Sequence, residues 1–501
     1  METCDVLVAG SGAGGVTGAY TAAREGLDVM LVEASEMFGG TTAYSGGGGM
    51  WFPANPFLLR AGTDDTVEDA LEYYTAVVGD RTPRELQEAY VRGGAPLVEY
   101  LETDELITFM PMPWPDYFGK APKARTDGMR HMAAKPLKVA AAPDLAELIR
   151  GPLDSDRLGA PRPSDYYVGG RALIARFLLA ARQYPNFTTR LNTALVDLVV
   201  EDGRVVGAVL ETNGTTRTVG TRRGVLLAAG GFEQNDELRA RFGVPGSSRD
   251  TMGPWGNQGL AHLAGVAAGA DTDLMDQAWW FPAVAPLPGR SPAVMLAERS
   301  LPGSLIVDQN GTRFANESAD YMSFGQRVLT LERAGRPVES MWIVFDQAYR
   351  NSYVFAAELF PRMPIPKHWY DAGIAVRADG LSELATAMEV PVEEFARTIT
   401  RFNESASAGE DPDFGRGRSA YDRYYGDPTI TPNPNLRPLV KGPFYAVRMV
   451  LSDLGTCGGL RADERARVLR EDGSAIQGLY AIGNTAANAF GATYPGAGAT
   501  I

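Results

Sequence analysis

The sequence predicts an α/β fold in which a mostly parallel sheet is interrupted by an inserted α+β domain. Three apolar runs that pass directly into glycines indicate this fold: residues 5–9 into Gly10, residues 224–229 into Gly230, and residues 478–482 into Gly483. Strands that end on glycines at the carboxyl edge of a parallel sheet are typical of nucleotide-binding domains. The three junctions are far apart in the chain, so we expect one discontinuous domain with an insertion between the second and the third.

The first junction carries a dinucleotide-binding motif. Gly10, Gly12 and Gly15 match G-x-G-x-x-G before a predicted helix over residues 16–25, and Glu33 closes the next predicted strand. These glycines allow a tight turn, close approach to a pyrophosphate and close helix–strand packing, and the helix N-terminus attracts phosphate. The acid lies near the distance, about 20 residues, at which it accepts from a ribose hydroxyl. A glycine-rich turn without a ligand is the alternative, which the order of strand, glycines, helix, strand and acid disfavours.

Charge and composition restrict the class of protein. The 501 residues carry a formal net charge of −14, which disfavours a nucleic-acid partner or an anionic membrane surface because no broad basic field is available. No apolar run reaches the ~18 residues that a membrane span needs. Cys4 and Cys457 are too few for a disulfide framework, and no signal peptide is evident. We therefore expect a soluble protein of the cytoplasm.

The segment between the first two glycine junctions contains several different types of predicted structure. The glycines at 46–49 precede an apolar Trp-Phe-Pro, which favours a cofactor-contacting loop over a flexible linker. Residues 64–106 predict two amphipathic helices. Residues 107–168 contain many prolines and an aromatic cluster, and we expect an irregular excursion with a functional role.

A helix and two hairpins follow. Residues 169–182 have apolar side chains at helical spacing, and residues 191–201 and 204–211 alternate around the turn Asp202-Gly203. A second pair of strands is expected near Gly214 and Arg222.

The insertion has strands and helices of its own. We predict strands over residues 304–308 and 341–346 and helices over residues 319–333 and 381–405. Prolines mark its borders near residue 280 and over residues 428–438.

These borders define two domains. We assign residues 1–280 and 446–501 to the nucleotide-binding domain and residues 281–445 to a catalytic domain that caps the substrate. A glycine-rich segment ends at Ile501, where a further helix is expected to begin, so we expect a shortened C-terminus.

Eight segments carry a family resemblance. Residues 8–12 (VAGSG), 39–46 (GGTTAYSG), 228–231 (AAGG) and 480–484 (YAIGN) resemble the FAD-dependent dehydrogenases and reductases that include fumarate reductase and the 3-ketosteroid dehydrogenases. More specific are Pro115-Asp116-Tyr117, Asn316-Glu317-Ser318 with Tyr321, residues 451–456 (LSDLGT) and residues 494–498 (YPGAG). With these, the sequence is most similar to the 3-ketosteroid Δ1-dehydrogenase family over nearly the whole chain. The resemblance implies a Rossmann-like, glutathione-reductase-like FAD-binding domain.

The resemblance also implies a reaction. It predicts an FAD enzyme that introduces a 1,2 double bond into the A-ring of 3-ketosteroids, with a hydride passing from C1 to flavin N5. Tyr494 and the Gly498 amide would bind the C3 ketone, and Tyr321 would take the C2 proton. Tyr117 would hydrogen-bond to Tyr321 and help it ionise, because an unperturbed tyrosine has a pKa near 10. The other partner is an electron acceptor whose identity the sequence does not give.

The cofactor contacts follow from the same resemblance. FAD is expected to be non-covalently bound, because no histidine or cysteine occurs in a flavin-contacting motif. The implied contacts are Gly10, Gly12, Ala13, Gly14, Gly15, Glu33, Ala34, Gly40, Thr41, Thr42, Ser45, Gly46, Gly47, Val196, Ala229, Gly230, Gly483, Asn484, Gly498, Ala499 and Thr500.

Three other functions stay open on the sequence alone. One is a 3-ketosteroid Δ4-(5α)-dehydrogenase. Another is a fumarate-reductase-like enzyme acting on a small unsaturated acid, whose site would need arginines and a histidine converging on carboxylates. The third is a non-enzymatic FAD-binding scaffold, which would leave the three tyrosines unexplained.

A purely structural role is the alternative interpretation for each single residue. The chain has 20 tyrosines, and a buried tyrosine with a satisfied hydroxyl is often structural. His131, His262 and His368 are widely separated without metal-ligand spacing, and we expect no metal site and a surface position for His131.

Overall fold

The chain forms two compact units. The structure, a computed structural model, describes residues 2–159 and 164–498. The first unit comprises Met1–Trp114, Ala121–Trp279 and Leu454–Ile501, and the second comprises Pro115–Lys120 and Trp280–Asp453.

The described residues form the following strands and helices. The strands are β1 Glu2–Ala9, β2 Val29–Val32, β3 Gly49–Trp51, β4 Phe109–Met112, β5 His131–Ala134, β6 Leu137–Lys138, β7 Tyr166–Tyr167, β8 Phe187–Arg190, β9 Thr193–Glu201, β10 Arg204–Thr212, β11 Thr215–Leu227, β12 Thr272–Asp273, β13 Ala278–Val284, β14 Ala293–Val294, β15 Ser304–Asp308, β16 Met341–Asp346, β17 Ala375–Ala378, β18 Phe444–Thr456, β19 Gly459–Leu460, β20 Arg467–Leu469 and β21 Ala475–Ala481. The helices are α1 Ala13–Arg24, α2 Gly40–Tyr44, α3 Pro56–Arg60, α4 Val67–Val78, α5 Arg84–Glu102, α6 Leu145–Leu148, α7 Leu153–Leu158, α8 Gly169–Ala181, α9 Asp236–Phe242, α10 Leu260–Ala267, α11 Tyr321–Arg333, α12 Gln347–Ser352, α13 Lys367–Asp371, α14 Leu381–Met388, α15 Val392–Ala408 and α16 Ala420–Tyr424. Short 3₁₀ turns occur at Val139–Ala141 and Gly483–Thr485.

The large sheet of the first unit explains why the glycine junctions matter. Strands β8, β2, β1, β11 and β21 are neighbours in that order, and each neighbouring pair is parallel. Alternate residues of β1 enter two cores, Val8 on one side and Leu7 and Ala9 on the other, so the sheet is buried on both faces. Because parallel strands end at one edge, the glycines that follow β1, β11 and β21 come together there.

The second predicted hairpin is wrong in its details. A single strand, β11, runs through Arg222, where two short strands were expected. Its first half pairs antiparallel with β10, and its second half pairs parallel with β1. Gly224, with φ +155, lies in the part of β11 that pairs with β1 and has no side chain to meet Gly478, whose carbonyl oxygen lies 2.5 Å from an ideal Cβ.

The excursion over residues 107–168 is more regular than its sequence suggests. It contains β4 and β5, which form a three-stranded antiparallel sheet with β3. All four residues of β5 are buried, including His131, which is 0% exposed. The expected surface position of this histidine is therefore wrong, because its strand pairs with a distant segment that no local pattern reveals.

The second unit is built on a sheet in the order β14-β13-β18-β16-β15, with β17 also pairing with β18. Strands β15 and β16 have their predicted bounds. Alternate residues of β16 enter two cores, Ile343 on one side and Val344 on the other. This sheet supports α11, which carries Tyr321 at its first position.

Two predicted features of the insertion need correction. The helix expected over residues 381–405 is two helices, α14 and α15, because Glu389 adopts a left-handed φ of +61 and Pro391 caps the next helix. The second unit ends at Asp453, beyond the predicted residue 445, because β18 pairs with β16 throughout Phe444–Met449. Residues 115–120, predicted in the nucleotide-binding domain, also belong to the second unit.

Membrane insertion by a helix has no support in the described residues. No helix there combines the length and the apolar character that crossing a bilayer requires.

Candidate active site

The turn after β1 forms a cradle that side chains would fill. Gly10 has φ +101, and an ideal Cβ on it would lie 2.2 Å from the carbonyl oxygen of Ala228. The Cβ of a residue at Gly15 would lie 2.0 Å from the carbonyl oxygen of Gly10. Gly12 is the N-cap of α1 and has no side chain of its own to cover the positive end of the helix. This geometry fits the pyrophosphate of a dinucleotide such as FAD.

Glu33 is fixed by two serines that the sequence did not single out. Its carboxylate accepts from the amide (3.1 Å) and hydroxyl (2.6 Å) of Ser11, and from the amide (3.0 Å) and hydroxyl (2.8 Å) of Ser35. The side chain remains 9% exposed at the end of β2, and Ala34 follows it. The arrangement presents an ionised acceptor beside the glycine turn, as a ribose-binding acid requires. The only sequence signals of this support are a serine inside the glycine turn, Ser11, and a second serine just after the glutamate, Ser35.

The segment that follows contacts the same turn. Thr42 on α2 accepts a hydrogen bond of 3.1 Å from the amide of Ala13, at the start of α1. The Ser45 hydroxyl accepts from the Gly48 amide at 3.0 Å, which closes the glycine run. Gly47 has no side chain because the ring of Trp114 lies 2.8 Å from the position of an ideal Cβ. The structure thus brings the first and second predicted cofactor motifs together.

A buried carboxyl group joins two of the predicted cofactor segments to the end of β18. Glu233 is 0% exposed and accepts hydrogen bonds from the side chain of Asn257 and, at 3.3 Å, from the amide of Thr456. The Asn257 amide also donates to the hydroxyl of Thr41 at 3.2 Å. The motif around Ala229 and Gly230, the Thr41 segment and the end of β18 are therefore linked through one carboxyl group. Sequence reasoning missed Glu233 and Asn257; an acid directly after a strand-to-glycine junction was the signal.

The third strand-to-glycine junction, at Gly483 and Asn484, is fixed by the side chains of Trp279 and His262. Trp279 donates from Nε1 to the side-chain oxygen of Asn484 at 2.8 Å, and His262 lies 3.2 Å from the carbonyl oxygen of the same residue. Burial lowers the pKa of His262 to about 4, so the ring is neutral at pH 7 and donates to that carbonyl. Gly483 begins the 3₁₀ turn with φ +59.

Four predicted cofactor contacts lie outside the segments described so far. Val196 is half-buried on β9, and Thr193, the first residue of this strand, donates to the carbonyl of Glu33 at 2.9 Å. Gly498, with φ +85, is the last described residue of the chain. Ala499 and Thr500 lie outside the described residues.

The loop with Tyr494 and Gly498 is built against the glycine run. An ideal Cβ on Gly498 would lie 1.8 Å from the carbonyl oxygen of Gly49, so only a glycine fits. The hydroxyl of Tyr73 on α4 donates to the carbonyl of Pro495 at 2.6 Å. The Tyr494 ring is 3% exposed and packs edge-on against Trp279, with ring centroids 5.3 Å apart. Tyr494 and the Gly498 amide thus belong to one rigidly supported loop in the first unit.

The ring of His131 packs against the loop that contains Tyr494 and Gly498. An ideal Cβ on Gly496 would lie 2.5 Å from Nε2 of His131 and 2.3 Å from the ring of Trp51. Burial lowers the pKa of His131 to about 3, so its ring is uncharged. An uncharged imidazole packed on a glycine is a structural role, and sequence spacing alone did not indicate it.

The second unit contains the other two predicted tyrosines, and they touch. The hydroxyl of Tyr117 donates a hydrogen bond of 3.0 Å to the hydroxyl oxygen of Tyr321. The rings meet edge to face at a centroid distance of 5.5 Å, and the side chains are 6% and 7% exposed. Phe281 stacks on Tyr321 at 4.3 Å and Tyr421 packs edge-on against Tyr117 at 4.5 Å. The result is a phenol pair with an apolar surround.

Tyr321 also has a special place in its helix. It is the first residue of α11, and the capping carboxylate of Asp320 accepts from the amide of Ser323 at 2.8 Å. Burial raises the pKa of Asp320 to about 6. The helix N-terminus contributes a partial positive charge near the backbone of Tyr321. A phenol in this setting can accept and return a proton, provided that its ionised form is stabilised.

Comparison with known proteins supports both units. The chain matches the family model described as FAD binding domain over residues 5–501. The 3-oxosteroid 1-dehydrogenase of Mycolicibacterium smegmatis is 40% identical, over 99% of this chain and 94% of its own. The 4-oxocyclohexanecarboxylate 2-dehydrogenase of Sinomonas cyclohexanicum is 35% identical, over 100% of this chain and 90% of its own.

A solved structure shows the same architecture. The 3-ketosteroid Δ1-dehydrogenase of Sterolibacterium denitrificans, in complex with 1,4-androstadiene-3,17-dione, matches with a TM-score of 0.93 at 32% identity. The match covers 100% of this chain and 97% of that chain. The likeness therefore extends through the tyrosine-bearing unit as well as the nucleotide cradle.

Proposed function

Because the chain belongs to the 3-ketosteroid Δ1-dehydrogenase family of FAD-dependent oxidoreductases, we propose that it introduces a 1,2 double bond into the A-ring of a 3-ketosteroid. The observation that carries this proposal is the buried pair of Tyr117 and Tyr321, whose hydroxyl oxygens lie 3.0 Å apart. Desaturation beside a ketone needs a base for the proton on the α carbon, and this pair supplies one in an apolar setting.

Tyr321 is the proposed base. Its phenolate oxygen takes the proton from C2, the electron pair of that C–H bond forms the new double bond, and hydrogen leaves C1 with its own electron pair. The bond donated by Tyr117 favours the ionised form of Tyr321, because a hydrogen bond to the charged form lowers a pKa. FAD, when bound, supplies the hydride acceptor.

Tyr494 and Gly498 are the proposed ketone donors. Negative charge develops on the C3 oxygen as the C2 proton leaves, and preorganised donors stabilise such charge. The Tyr73 hydroxyl and the contact with Gly49 fix the loop before the substrate arrives, so no reorganisation is needed during the reaction. A phenol and a backbone amide together form a two-donor site of the kind that polarises carbonyls.

FAD is held by the first unit. The glycine turn after β1 and the N-terminus of α1 suit its pyrophosphate, and Glu33 suits the adenosine ribose. We propose that Thr41, Thr42 and Ser45, with the glycines beside them, and the Ala229–Gly230 and Gly483–Asn484 segments contact the remainder of the cofactor. The attachment is proposed to be non-covalent, since no histidine or cysteine occurs in the motifs proposed to contact the flavin.

Two further properties belong to the proposal. Turnover needs an external electron acceptor, because two electrons from one steroid must leave before the next is oxidised. We place the protein in the cytoplasm, since Cys4 and Cys457 are both buried and are not joined in a disulfide.

Anaerobic reduction of the bound flavin tests the function. The purified holoenzyme is mixed with 4-androstene-3,17-dione, 5α-androstane-3,17-dione, 4-oxocyclohexanecarboxylate or succinate, and the position of any new double bond is determined by NMR. We expect rapid bleaching by the steroids and a 1,2 double bond in the product. A 4,5 double bond from the saturated steroid, or rapid reduction by the small acids alone, would assign a different reaction to the chain.

Replacement of Tyr321 tests the base. Tyr321→Phe keeps the ring against Phe281 but removes the acceptor oxygen, so flavin reduction should fall by roughly 10²-fold or more with steroid binding little changed. Tyr353→Phe, which removes another hydroxyl of the same unit, is the control and should reduce at the normal rate. A near-normal rate in Tyr321→Phe would show that another group takes the proton.

A further inference from the structure

A buried arginine lies directly behind the segment that presents Tyr321. The side chain of Arg299 is 0% exposed, and its Nη1 donates to the carbonyl oxygens of Glu317 (2.6 Å) and Ala319 (2.5 Å). Its Nε donates to the carbonyl oxygen of Met295 at 3.1 Å. The two bonds from Nη1 therefore tie down the backbone that immediately precedes Asp320 and α11.

The charge of this arginine is not balanced by a direct partner. All three of its hydrogen bonds go to backbone carbonyls, and within residues 2–159 and 164–498 its Nη2 has no hydrogen-bond partner. A guanidinium stays protonated in a protein interior, so Arg299 places a full positive charge in a poorly solvated region. Neighbouring carboxylates are engaged elsewhere: that of Glu317 pairs with Arg313 and Arg416 at 2.7 Å and 3.4 Å.

The field of this charge reaches the groups around the tyrosine pair. Burial raises the pKa of Asp320 to about 6, and Arg299 acts in the opposite direction. Burial likewise raises the pKa of Tyr421, whose ring packs edge-on against Tyr117, and Arg299 again opposes the shift. Arg299 thus stabilises negative charge on both sides of the pair.

We propose that Arg299 is a positioning residue for the reaction: it fixes the first turn of α11 through the carbonyls of Glu317 and Ala319, and its unpaired charge favours the ionised form of Tyr321. This inference rests on the proposed role of Tyr321 as the base.

The other groups around the tyrosine pair also affect the ionisation of Tyr321, and the charge of each group decides whether it favours or opposes the phenolate. Tyr117 donates to its oxygen and Phe281 of β13 is uncharged. Asp320, the N-cap of the same helix, and Tyr421 of α16, which packs on Tyr117, would oppose ionisation of Tyr321 when negatively charged. Arg299 is the cation that offsets them, since an opposite charge favours ionisation and a like charge opposes it.

The test is the pH dependence of flavin reduction in the holoenzyme at saturating 4-androstene-3,17-dione. Arg299→Gln removes the charge, so the apparent pKa of the rate profile should rise by about one unit and the rate below that pKa should fall about tenfold, with recovery at high pH. Arg299→Lys keeps the charge but loses the planar fork, so its plateau should fall while the apparent pKa stays in place.

A matched arginine provides the control. Arg350 in the same unit is 1% exposed and also donates to three backbone carbonyls, those of Met363, Tyr353 and Phe360. Arg350→Gln should lower stability without moving the apparent pKa. An unshifted profile in Arg299→Gln, or an equal shift in Arg350→Gln, would overturn the proposal.

A second measurement removes the dependence on turnover. Ultraviolet difference titration of the steroid-free holoenzyme, wild type against Tyr321→Phe, reports the ionisation of Tyr321 directly. The same comparison in the Arg299→Lys background should give an unchanged midpoint; a raised midpoint would contradict the charge role even if Arg299→Gln does not fold. If Tyr321→Phe itself reduces flavin normally, the base assignment fails. An unshifted Arg299→Gln profile beside an inactive Tyr321→Phe refutes the role of Arg299 alone.

Discussion

The hydroxyl of Tyr73 donates a hydrogen bond of 2.6 Å to the carbonyl oxygen of Pro495, the residue that follows Tyr494. Tyr73 belongs to α4, which is remote in sequence from this loop, and its side chain is 0% exposed. The place of the proposed ketone donors is therefore set by a helix that need not touch the substrate.

Tyr73→Phe removes this bond while keeping the ring. A neutral hydrogen bond contributes about 1 kcal/mol, so the loop should sample other positions and the steroid KM should rise several-fold. Tyr74→Phe removes one of the two hydroxyl donors to the carbonyl of Ala489, farther from Tyr494, and should raise the KM less. Steady-state kinetics with 4-androstene-3,17-dione measure both variants, and equal effects would mean that neither bond positions Tyr494 specifically.

Tyr117→Phe deletes the donor to Tyr321 and leaves the edge-to-face ring contact. The phenolate loses a stabilising hydrogen bond, so the apparent pKa for flavin reduction should rise by about one unit. Stopped-flow reduction across a pH series gives this value, and the equilibrium affinity for the steroid should change little. Tyr421→Phe keeps the same ring packing and serves as the control. A uniform loss of rate at every pH would indicate that Tyr117 acts only through shape.

Gly10→Ala should abolish FAD binding. The added Cβ would lie 2.2 Å from the carbonyl oxygen of Ala228, and the φ of +101 is strained for any side chain. Gly26→Ala has a similar φ of +85 but meets nothing within 4 Å, so it isolates backbone strain, which costs about 1 kcal/mol. Flavin absorbance relative to protein absorbance after purification distinguishes the two. Full flavin content in Gly10→Ala would refute the close approach at this turn.

Acid should destabilise the first unit through His262. Its pKa is lowered by burial from the ordinary 6.5 to about 4, so its contribution to stability is complete above pH 6.5 and is lost as pH falls toward 4. The shift corresponds to roughly 3 kcal/mol over that window. Urea unfolding at several pH values should show a flatter acid limb in His262→Gln. His368→Gln, on an exposed position of α13, is the control, and an unchanged limb in both variants would contradict the assignment.

Local signals made much of the fold predictable. β1, α1 and β2 follow from an apolar run, a glycine turn and a second apolar run, and β15 and β16 have their predicted bounds because each is a short, mainly apolar run that ends at an aspartate. The pairing of β3 with β5 was not predictable, since Gly49 meets Ala133 across a long separation in the chain. The burial of His131 depends on that pairing and was missed with it.

The site residues likewise divide into those that local sequence signals predicted and those that they did not. The glycine turn and Glu33 follow from spacing and chemistry, whereas Tyr117, Tyr321 and Tyr494 were indicated only by resemblance to a family. Nothing in the spacing of these tyrosines brings Tyr117 to Tyr321, because the contact depends on residues 115–120 joining the second unit. Arg299 was missed because no local pattern marks it: its importance depends on which backbone groups surround it. Glu233 was missed although it follows a strand-to-glycine junction.

The order in which the strands are synthesised has a consequence for folding in the cell. β11 pairs with β21 through Val225 and Leu479, and β18 lies between β13 and β16 in the other sheet. At roughly 5–20 residues per second, a ribosome needs roughly 12–50 s to advance from the first of these paired residues to the second. Until β21 emerges, β11 has an open edge, and until β18 emerges, the other sheet lacks the strand between β13 and β16. An open strand edge can pair with another nascent chain. Translation speed and chaperone supply should therefore govern the yield of folded protein more than the stability of the finished fold.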